Sequence, residues 1–250
     1  MLLVDVHAHL EHKHFENQLD ETIERAKKAG VKVIINNGLN VDSNRKTLEM
    51  AKKYDIIKAS LGFYPLDAIK LNDEEIEEEI TFIEKNKSKI IAIGEIGLDY
   101  YFKKDTIERQ KVIFAKFLDL AKRLDKPVIV HSREAEETVI EMMEEHGIKK
   151  AVMHCFTGKL ELAKKCEENG WMLSIPCVLI RNWNFKKIVK EVNISNLLTE
   201  TDCPYMPCVA KTFSEPAHVI TTVEEIAKIK GMDKEEVANN IFMNYQKMFL

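Results

Sequence analysis

Short apolar runs recur along the whole chain, and a helical stretch follows each of them. Most runs are rich in Ile, Val and Leu without regular polar alternation, which is typical of parallel strands that are buried on both faces. About eight such pairs within 250 residues predict a (β/α)8 TIM barrel, with a doubly wound open sheet as the alternative. The predicted strands lie within residues 1–10, 31–38, 56–64, 89–98, 126–132, 149–156, 170–176 and 196–204.

The composition of the chain gives no sign of a division into parts. Linkers, low-complexity segments and internal repeats are absent from the sequence, so we expect a single barrel domain over residues 1–250. No apolar run is long enough to span a membrane, and no charged-then-apolar leader begins the chain. Five cysteines, scattered without CxxC spacing, are typical of reduced thiols. We therefore expect a cytoplasmic protein with no membrane partner.

The charge balance restricts how this chain could engage nucleic acid. Its formal net charge is −4, from 41 acidic and 37 basic residues. Proteins that hold long duplex DNA tightly usually carry an excess of basic residues, so that class of protein is disfavoured. Nucleic acid bound transiently as a substrate is compatible with this charge, because a few cations can neutralise its phosphates locally.

The first predicted strand carries an unusual set of polar residues. In VDVHAHL (4–10), alternation places Asp5, His7 and His9 on one face and the apolar side chains on the other. The spacing by itself fits two interpretations. The polar face could be solvated, or the two imidazoles could converge on a common ligand.

Polar side chains also end four later strands of the predicted barrel. Each directly follows an apolar run, where a structural position would normally hold another aliphatic residue. Active sites of TIM barrels lie at the carboxyl ends of the strands, so we expect these side chains to meet the histidines of the first strand. The four are Glu95 after the fourth run, His131 after the fifth, His154 after the sixth and Asp202 after the eighth.

Together these side chains make a metal-binding set of four imidazoles and two carboxylates. Such ligands suit zinc, manganese, iron or nickel better than metals that prefer oxygen alone. Six ligands exceed the number typical of one catalytic zinc and suit two metals about 3.5–4 Å apart. We expect two divalent ions, with zinc, manganese, nickel and magnesium as candidates. Glu95 is the expected bridge, and Asp202 could contact a metal and accept a proton from the attacking water.

The motifs that carry these residues resemble those of the TatD family of metal-dependent hydrolases, within the amidohydrolase-like superfamily. The resemblance covers nearly the whole chain, and its motifs follow the family's order and spacing. A single motif would be a weak signal, whereas the complete series is specific. The motifs are DVHAHL (5–10), GEIGLDY (94–100), VIVHSREA (128–135), HCFTG (154–158) and ETDCPY (200–205).

The family resemblance implies both an activity and a role for each candidate residue. TatD proteins are associated with deoxyribonuclease activity, often at 3′ ends of DNA, and some relatives with deacylation of D-aminoacyl-tRNA. The resemblance therefore leaves the substrate open. The implied assignments are His7 and His9 on one metal, His131 and His154 on the other, Glu95 as the bridge, and Asp202 at the first metal as the base.

Two segments depart from the family pattern. Residues 62–66 read GFYPL, so Tyr64 and Leu66 occupy the histidine positions of a common GxHPH segment. Residues 210–216 read AKTFSEP and keep only Lys211 of the basic pair in a GKRNEP-like stretch. Both departures concern substrate contact more than metal binding.

Three side chains are candidates for substrate contact. Arg133 could bind a phosphate through its guanidinium, or pair with Glu134 or Glu137 at a helix start. Tyr64 could stack on a base, although aromatic residues at a barrel mouth more often serve packing. Lys211 could contact a phosphate, and a solvated surface position is the simpler expectation.

Other polar residues are expected to be structural or solvated. Asp5 could orient a metal ligand or fill a buried hydrogen-bonding position. The acidic run DEEIEEE (73–79) is expected to be a solvated helix face. Four histidines do not follow strand ends and are expected on the surface or on helices: His12, His14, His146 and His218.

The sequence thus favours a two-metal hydrolase that cleaves phosphodiester bonds of DNA, in single strands or at 3′ ends. Its expected partner is DNA as a transient substrate, or another phosphodiester or ester. One alternative keeps the metals and hydrolyses a carbonyl ester or amide, as a D-aminoacyl-tRNA deacylase or an amidohydrolase would. Another alternative is a catalytically silent metal-binding barrel. The oligomeric state is left open.

Overall fold

The computed structural model describes residues 1–250, apart from the side chain of Lys104. Within these residues, eight parallel strands form one sheet in which each strand pairs with the next along the chain. This order confirms the predicted TIM barrel, and each predicted strand region contains one observed strand. The strands are β1 (Leu3–Ala8), β2 (Val31–Asn37), β3 (Ile57–Leu61), β4 (Ile90–Gly97), β5 (Val128–His131), β6 (Ala151–Met153), β7 (Met172–Pro176) and β8 (Leu197–Glu200).

Helices connect successive strands and cover the outside of the barrel. Among the described helices, none combines the length and the apolar character that crossing a membrane requires. The helices are α1 (Leu19–Ala29), α2 (Val41–Lys53), α3 (Pro65–Ala68), α4 (Asp73–Lys85), α5 (Ile107–Leu124), α6 (Glu136–Glu145), α7 (Leu160–Glu168), α8 (Trp183–Glu191), α9 (Val219–Lys230) and α10 (Lys234–Phe249).

Burial explains the composition of both layers. Every residue of β1, β7 and β8 is buried, so even the alternating polar residues of β1 face the interior of the protein and not bulk solvent. The helices bury one side only, and two of them begin with reciprocal caps. Asn40 and Ser43 cap α2, and Asn72 and Glu75 cap α4, each through paired side-chain and backbone hydrogen bonds.

The barrel closes between β1 and β8 through backbone contacts just beyond β8. The N–H of Asp202 donates to the carbonyl of His7 over 2.8 Å, and the N–H of His9 donates to the carbonyl of Cys203 over 2.9 Å. Ala8 and Cys203 also form a parallel bridge. We call this junction the seam, and it places the ends of the first and last strands side by side.

Strands β4 and β5 approach closely where their polar residues lie. Gly97 has a φ of 143°, and a Cβ atom at this position would lie 1.9 Å from the carbonyl oxygen of His131. Only glycine fits this approach without moving the backbone. The close contact brings Glu95 on β4 and His131 on β5 to the same level of the barrel.

One expectation for helix α4 was wrong. Most of the acidic run 73–79 is exposed as predicted, but Glu79 is buried and forms an ion pair with Arg45. Its carboxylate also accepts a hydrogen bond from the amide of Asn44 over 2.8 Å. Glu79 lies three residues after the buried Ile76, so helical spacing turns it toward α2 and away from water.

Candidate metal centre

Glu95 lies at the centre of the polar cluster at the carboxyl end of the barrel. Its Oε2 atom is 3.2 Å from Nε2 of His7 and 3.5 Å from Nε2 of His9. Its Oε1 atom is 3.0 Å from Nδ1 of His131 and 3.6 Å from Nε2 of His154. The two oxygens of one carboxylate therefore face two different pairs of histidines.

We define the first half of the site as His7, His9 and Asp202 with the Oε2 atom of Glu95. The Oδ1 atom of Asp202 is 3.3 Å from Nε2 of His9 and 3.7 Å from Nε2 of His7. The two imidazole Nε2 atoms are themselves 3.1 Å apart. Two imidazoles and two carboxylates thus converge on one small volume beside the seam.

The first half is supported from behind mainly by backbone groups. Nδ1 of His9 lies 3.0 Å from the carbonyl oxygen of Asn37, and the carboxylate of Glu11 is 3.7 Å from the same nitrogen. Below the histidines, Oδ1 of Asp5 accepts the N–H groups of His7 and Thr201 at 3.2 and 3.0 Å. Asp5 therefore fills a buried hydrogen-bonding position that ties β1 to the end of β8.

We define the second half as His131 and His154 with the Oε1 atom of Glu95. Here carboxylates stand behind the imidazoles. Nε2 of His131 is 3.0 Å from Oδ2 of Asp99, and Nδ1 of His154 is 3.4 Å from Oε2 of Glu200. A carboxylate behind a histidine fixes the ring and increases the basicity of its other nitrogen.

Burial and close charges shift the titration of these groups. Burial raises the pKa of Glu95, but His154, His131 and His7 outweigh burial and hold this pKa well below its ordinary value. Burial, together with His154, lowers the pKa of His7 to about 4. Burial also opposes protonation of His154, yet the charges of Glu200 and Glu95 raise its pKa to about 9. Glu95 therefore stays ionised inside a buried cluster.

Buried anions of this kind need cationic partners. Among the described side chains, no lysine or arginine forms an ion pair with Glu95 or Asp202, whose partners are histidines. Within this cluster, three sets of three ligand atoms each lie within 4.8 Å of one another, and one set joins the halves through His7, His154 and Asp202. Convergent imidazole and carboxylate atoms of this kind fit divalent metal ions.

The structure thus brings all six predicted ligands together, whereas the three predicted substrate contacts lie in different surroundings. The hydroxyl of Tyr64 donates to Oδ2 of Asp99 over 2.9 Å, behind the second half. Arg133 is exposed, and its guanidinium lies over the ring of Tyr101, 3.8 Å from the centroid. Lys211 is exposed on the loop after β8, with a left-handed φ of 65°.

Sequence reasoning missed Asp99 and Glu200, the two carboxylates that support the imidazoles of the second half. The signal for Glu200 was present, because it precedes Asp202 by two residues directly after an apolar strand. The signal for Asp99 was weaker, since a GLDY segment reads equally well as a turn. Of the histidines expected on the surface, His12 and His14 lie at the same end of the barrel, in partly buried positions.

Comparison with known proteins gives matches over the length of the chain. The family model described as TatD related DNase matches residues 4–250. An uncharacterized metal-dependent hydrolase of Methanocaldococcus jannaschii is 40% identical over 246 residues, which are 98% of this chain and 96% of that protein. The deoxyribonuclease TATDN3 of Homo sapiens is 31% identical over 258 residues, which are 99% of this chain and 94% of that protein.

A solved structure agrees with these relatives. The crystal structure of YJJV, a TatD homologue from Escherichia coli K12, matches with a TM-score of 0.93 at 26% identity. The match covers 99% of this chain and 97% of that chain. The fold, the family model and the relatives lead to the same assignment: the chain belongs to the TatD family of metal-dependent hydrolases.

Proposed function

We propose that this protein hydrolyses phosphodiester bonds of DNA, in single strands or at 3′ ends, with two divalent metal ions. The observation that carries the proposal is the position of Glu95, whose two oxygens each face one histidine pair. A carboxylate shared in this way suits two ions held close together. Zinc, manganese, nickel and magnesium are the candidate ions, and the imidazoles favour the first three.

The proposed ligands follow the two halves of the site. His7, His9 and Asp202 would hold one ion, and His131 and His154 would hold the other, with Glu95 shared between them. Bound there, such ions supply an activated water and stabilise the charge that develops on the phosphate oxygens. The protein's own residues must fix the ligands, exclude bulk water and accept the proton.

Asp202 is the proposed general base. Its side chain is 12% exposed, against 4% for Glu95, so it borders the open end of the site. His9 and the neighbouring imidazoles outweigh the effect of burial and lower the pKa of Asp202, which keeps it ionised and able to accept a proton. As a water oxygen bonds to phosphorus, Asp202 takes its proton and the bond to the leaving sugar oxygen breaks.

The choice of DNA is supported by the name of one relative, and it is compatible with the charge of the chain. The human relative with 31% identity is named a deoxyribonuclease, while the relative with 40% identity carries no substrate in its name. The net charge of −4 favours brief contact with a short segment over stable binding of a long duplex.

Hydrolysis of a carbonyl ester or amide is the second candidate function. The observation that favours it is the departure at residues 62–66, where Tyr64 stands in a family histidine position. Its hydroxyl donates a hydrogen bond to Asp99, the carboxylate that supports His131. The hydroxyl is therefore engaged within the protein and does not serve as a phosphate contact. Charged D-aminoacyl-tRNA and simple esters are the corresponding substrates.

The test compares these substrates on one preparation. We expect metal-loaded protein to release nucleotides from end-labelled single-stranded DNA, and we expect chelation to stop the release. His131→Ala should abolish the activity, whereas His146→Ala, a histidine on the outer surface, should retain it. Hydrolysis of charged tRNA or esters without nucleotide release would replace the proposal with the second candidate. Two bound metal equivalents with no hydrolysis of any substrate would indicate a silent barrel.

A further inference from the structure

Two cysteines lie close together beside the loop that follows Asp202. Cys177 begins the short helical turn Cys177–Arg181 directly after β7, and Cys208 lies on the loop between β8 and α9. The Sγ atoms of the two cysteines are within 4.8 Å of each other. Neither residue belongs to the metal centre described above, so the pair needs an explanation of its own.

The buried member of the pair contacts both sides of this loop. The thiol of Cys177 donates to the carbonyl of Met206 over 3.3 Å, and its Sγ atom lies 3.7 Å from the hydroxyl oxygen of Ser214. The loop closes on itself, because the N–H of Ser214 donates to the carbonyl of Pro204 over 3.0 Å. These contacts hold the sulfur of Cys177 within reach of Cys208.

Cys208 has the surroundings of a reactive thiol. Its side chain is partly exposed, so a small oxidant in solution can reach it. A hydrogen bond from Cys177 lowers the pKa of Cys208 against the effect of burial, and the hydroxyl of Thr221 and the charge of Arg181 act in the same direction. Thr221 lies in the first turn of α9. A helix N-terminus and a nearby guanidinium are groups that stabilise a thiolate, which is the nucleophilic form of cysteine.

The other cysteine of the pair has the opposite character. Its hydrogen bond to Cys208, together with burial, raises the pKa of Cys177. One sulfur is therefore accessible and inclined to ionise, and the other is buried and protonated. This division is the one found between an attacking and a resolving thiol.

A third side chain in this cluster, His218, does not complete a metal site. Its Nδ1 atom accepts the N–H of Glu215 over 3.2 Å, and burial lowers the pKa of the ring, which favours the neutral form. A neutral ring that accepts at Nδ1 carries its proton on Nε2, so neither nitrogen has a free lone pair for a metal. Structural zinc takes four ligands, and this cluster offers two thiols. The thiols are therefore the reactive part of the cluster.

We propose that Cys177 and Cys208 form a reversible disulfide when the protein meets hydrogen peroxide, with Cys208 as the attacking thiol and Cys177 as the resolving thiol. The inference stands apart from the proposed function, because it involves neither the metal ligands nor the substrate. The bond would join the segments that follow β7 and β8, which are neighbouring strands. It would thereby restrain the loop that follows the proposed base, Asp202.

The reaction has two steps. The thiolate of Cys208 attacks one oxygen of the peroxide, the O–O bond breaks, and the departing hydroxide takes up a proton to become water. The sulfur of Cys177 then attacks the sulfenic acid on Cys208, the S–O bond breaks, and a second water leaves with the thiol proton. The two thiols together lose two electrons, which reduce the peroxide to two waters.

The experiment treats the whole protein with hydrogen peroxide, blocks the remaining thiols with N-ethylmaleimide and identifies linked peptides by mass spectrometry. We expect a single linked pair, between Cys177 and Cys208, and complete reversal by dithiothreitol. Before oxidation, iodoacetamide at neutral pH should label Cys208 at least about tenfold faster than each other cysteine, because its thiolate fraction is larger. This mapping uses the unaltered chain and so does not depend on the folding of any variant.

Three variants assign the roles. Cys208→Ser should abolish the linked peptide. Cys177→Ala should stop the reaction at the sulfenic acid on Cys208, which dimedone traps. Cys166→Ala, which removes a buried cysteine on α7, is the control and should form the disulfide as the unaltered chain does.

Three results would overturn the inference. One is the absence of a linked pair or a link between other cysteines. Another is labelling of Cys208 no faster than that of the other cysteines. The third is a zinc equivalent that is lost with Cys208→Ser, which would assign the cluster to a metal. Each of these results leaves DNA hydrolysis in place, because none of the measurements depends on it.

Discussion

The two halves of the metal centre use their carboxylates in opposite places. In the first half, Asp202 stands beside the histidines at the open end of the barrel, and a backbone carbonyl supports His9 from behind. In the second half, Asp99 and Glu200 stand behind the histidines. A carboxylate in front can meet water and substrate, whereas a carboxylate behind can only act through the imidazole. Under the proposed function, the first half is therefore suited to proton transfer, and the second to holding a metal ion.

The halves also differ in their place in the barrel. The first half is built across the seam, from β1 and the residues that follow β8. The second half is built from the ends of β5 and β6, which pair with each other and with their neighbours in a continuous sheet. Glu95 on β4 is the group that both halves share, so its substitution tests whether they act as one unit.

Glu95→Gln should cause the largest loss. The amide offers one neutral oxygen and an NH2 group with two donors in place of two anionic oxygens, so one half loses its acceptor and both lose the charge. We expect the rate of hydrolysis to fall at least about 10⁴-fold, because the loss affects both halves and should equal or exceed the largest loss expected for a single acid–base group. Metal content measured by mass spectrometry of the purified protein should fall at both positions. A full metal equivalent retained at unchanged affinity would show that the halves bind independently.

Asp202→Asn should impair the first half and leave metal binding in the second half unchanged. The substitution removes the proposed base of the first half and leaves the second half intact, so kcat should fall about 10²- to 10⁴-fold. One metal equivalent should stay bound with unchanged affinity. Steady-state kinetics and metal titration of the same preparation measure both effects. Loss of both metals would contradict the division into halves.

Substitution of the supporting carboxylates should weaken the second half alone. Asp99→Asn and Glu200→Gln each remove the charge behind an imidazole, so metal affinity there should fall about 10- to 100-fold. Competition with a chromogenic chelator measures the affinity. Glu11→Gln is the matched change in the first half and should have a smaller effect, because the carbonyl of Asn37 is closer to His9. An equal loss of metal affinity with Glu11→Gln would contradict the proposed difference between the two halves.

Tyr64→Phe should have the smallest effect of this series. It removes one hydrogen bond to Asp99, which keeps its contact with His131. We expect metal affinity in the second half to fall about tenfold or less, the contribution of one hydrogen bond. Chelator competition again gives the value. A loss larger than that of Asp99→Asn would show that Tyr64 acts by another route.

The barrel and the convergence of six polar side chains at five of its strand ends could be predicted from the sequence for one physical reason. A parallel strand buried on both faces tolerates a polar side chain only where it ends, so His131 or Asp202 after an aliphatic run is conspicuous. The roles of these residues as metal ligands stay predictions. The supporting carboxylates could not be distinguished, because Asp99 and Glu200 resemble ordinary turn and strand-end residues until the fold shows which imidazole each faces.

Loop and helix surroundings were harder to predict than strand ends. His12 and His14 were expected on the surface or on helices, and their places beside Tyr205 and Phe213 depend on two loops far apart in sequence. Glu79 was expected to be solvated because acidic runs usually are. Its burial against Arg45 follows from a contact between two helices that charge patterning alone does not contain.

The seam has a consequence for how assembly of the first half could be observed. The amide protons of Asp202 and His9 are donated across it, and the side chains of the same two residues face each other 3.3 Å apart in the site. Any opening between β1 and β8 that separates those side chains also releases both amides to solvent. Their hydrogen–deuterium exchange rates therefore measure the free energy of that opening. If both amides exchange slowly and at the same rate, the first half of the site is assembled before any substrate binds.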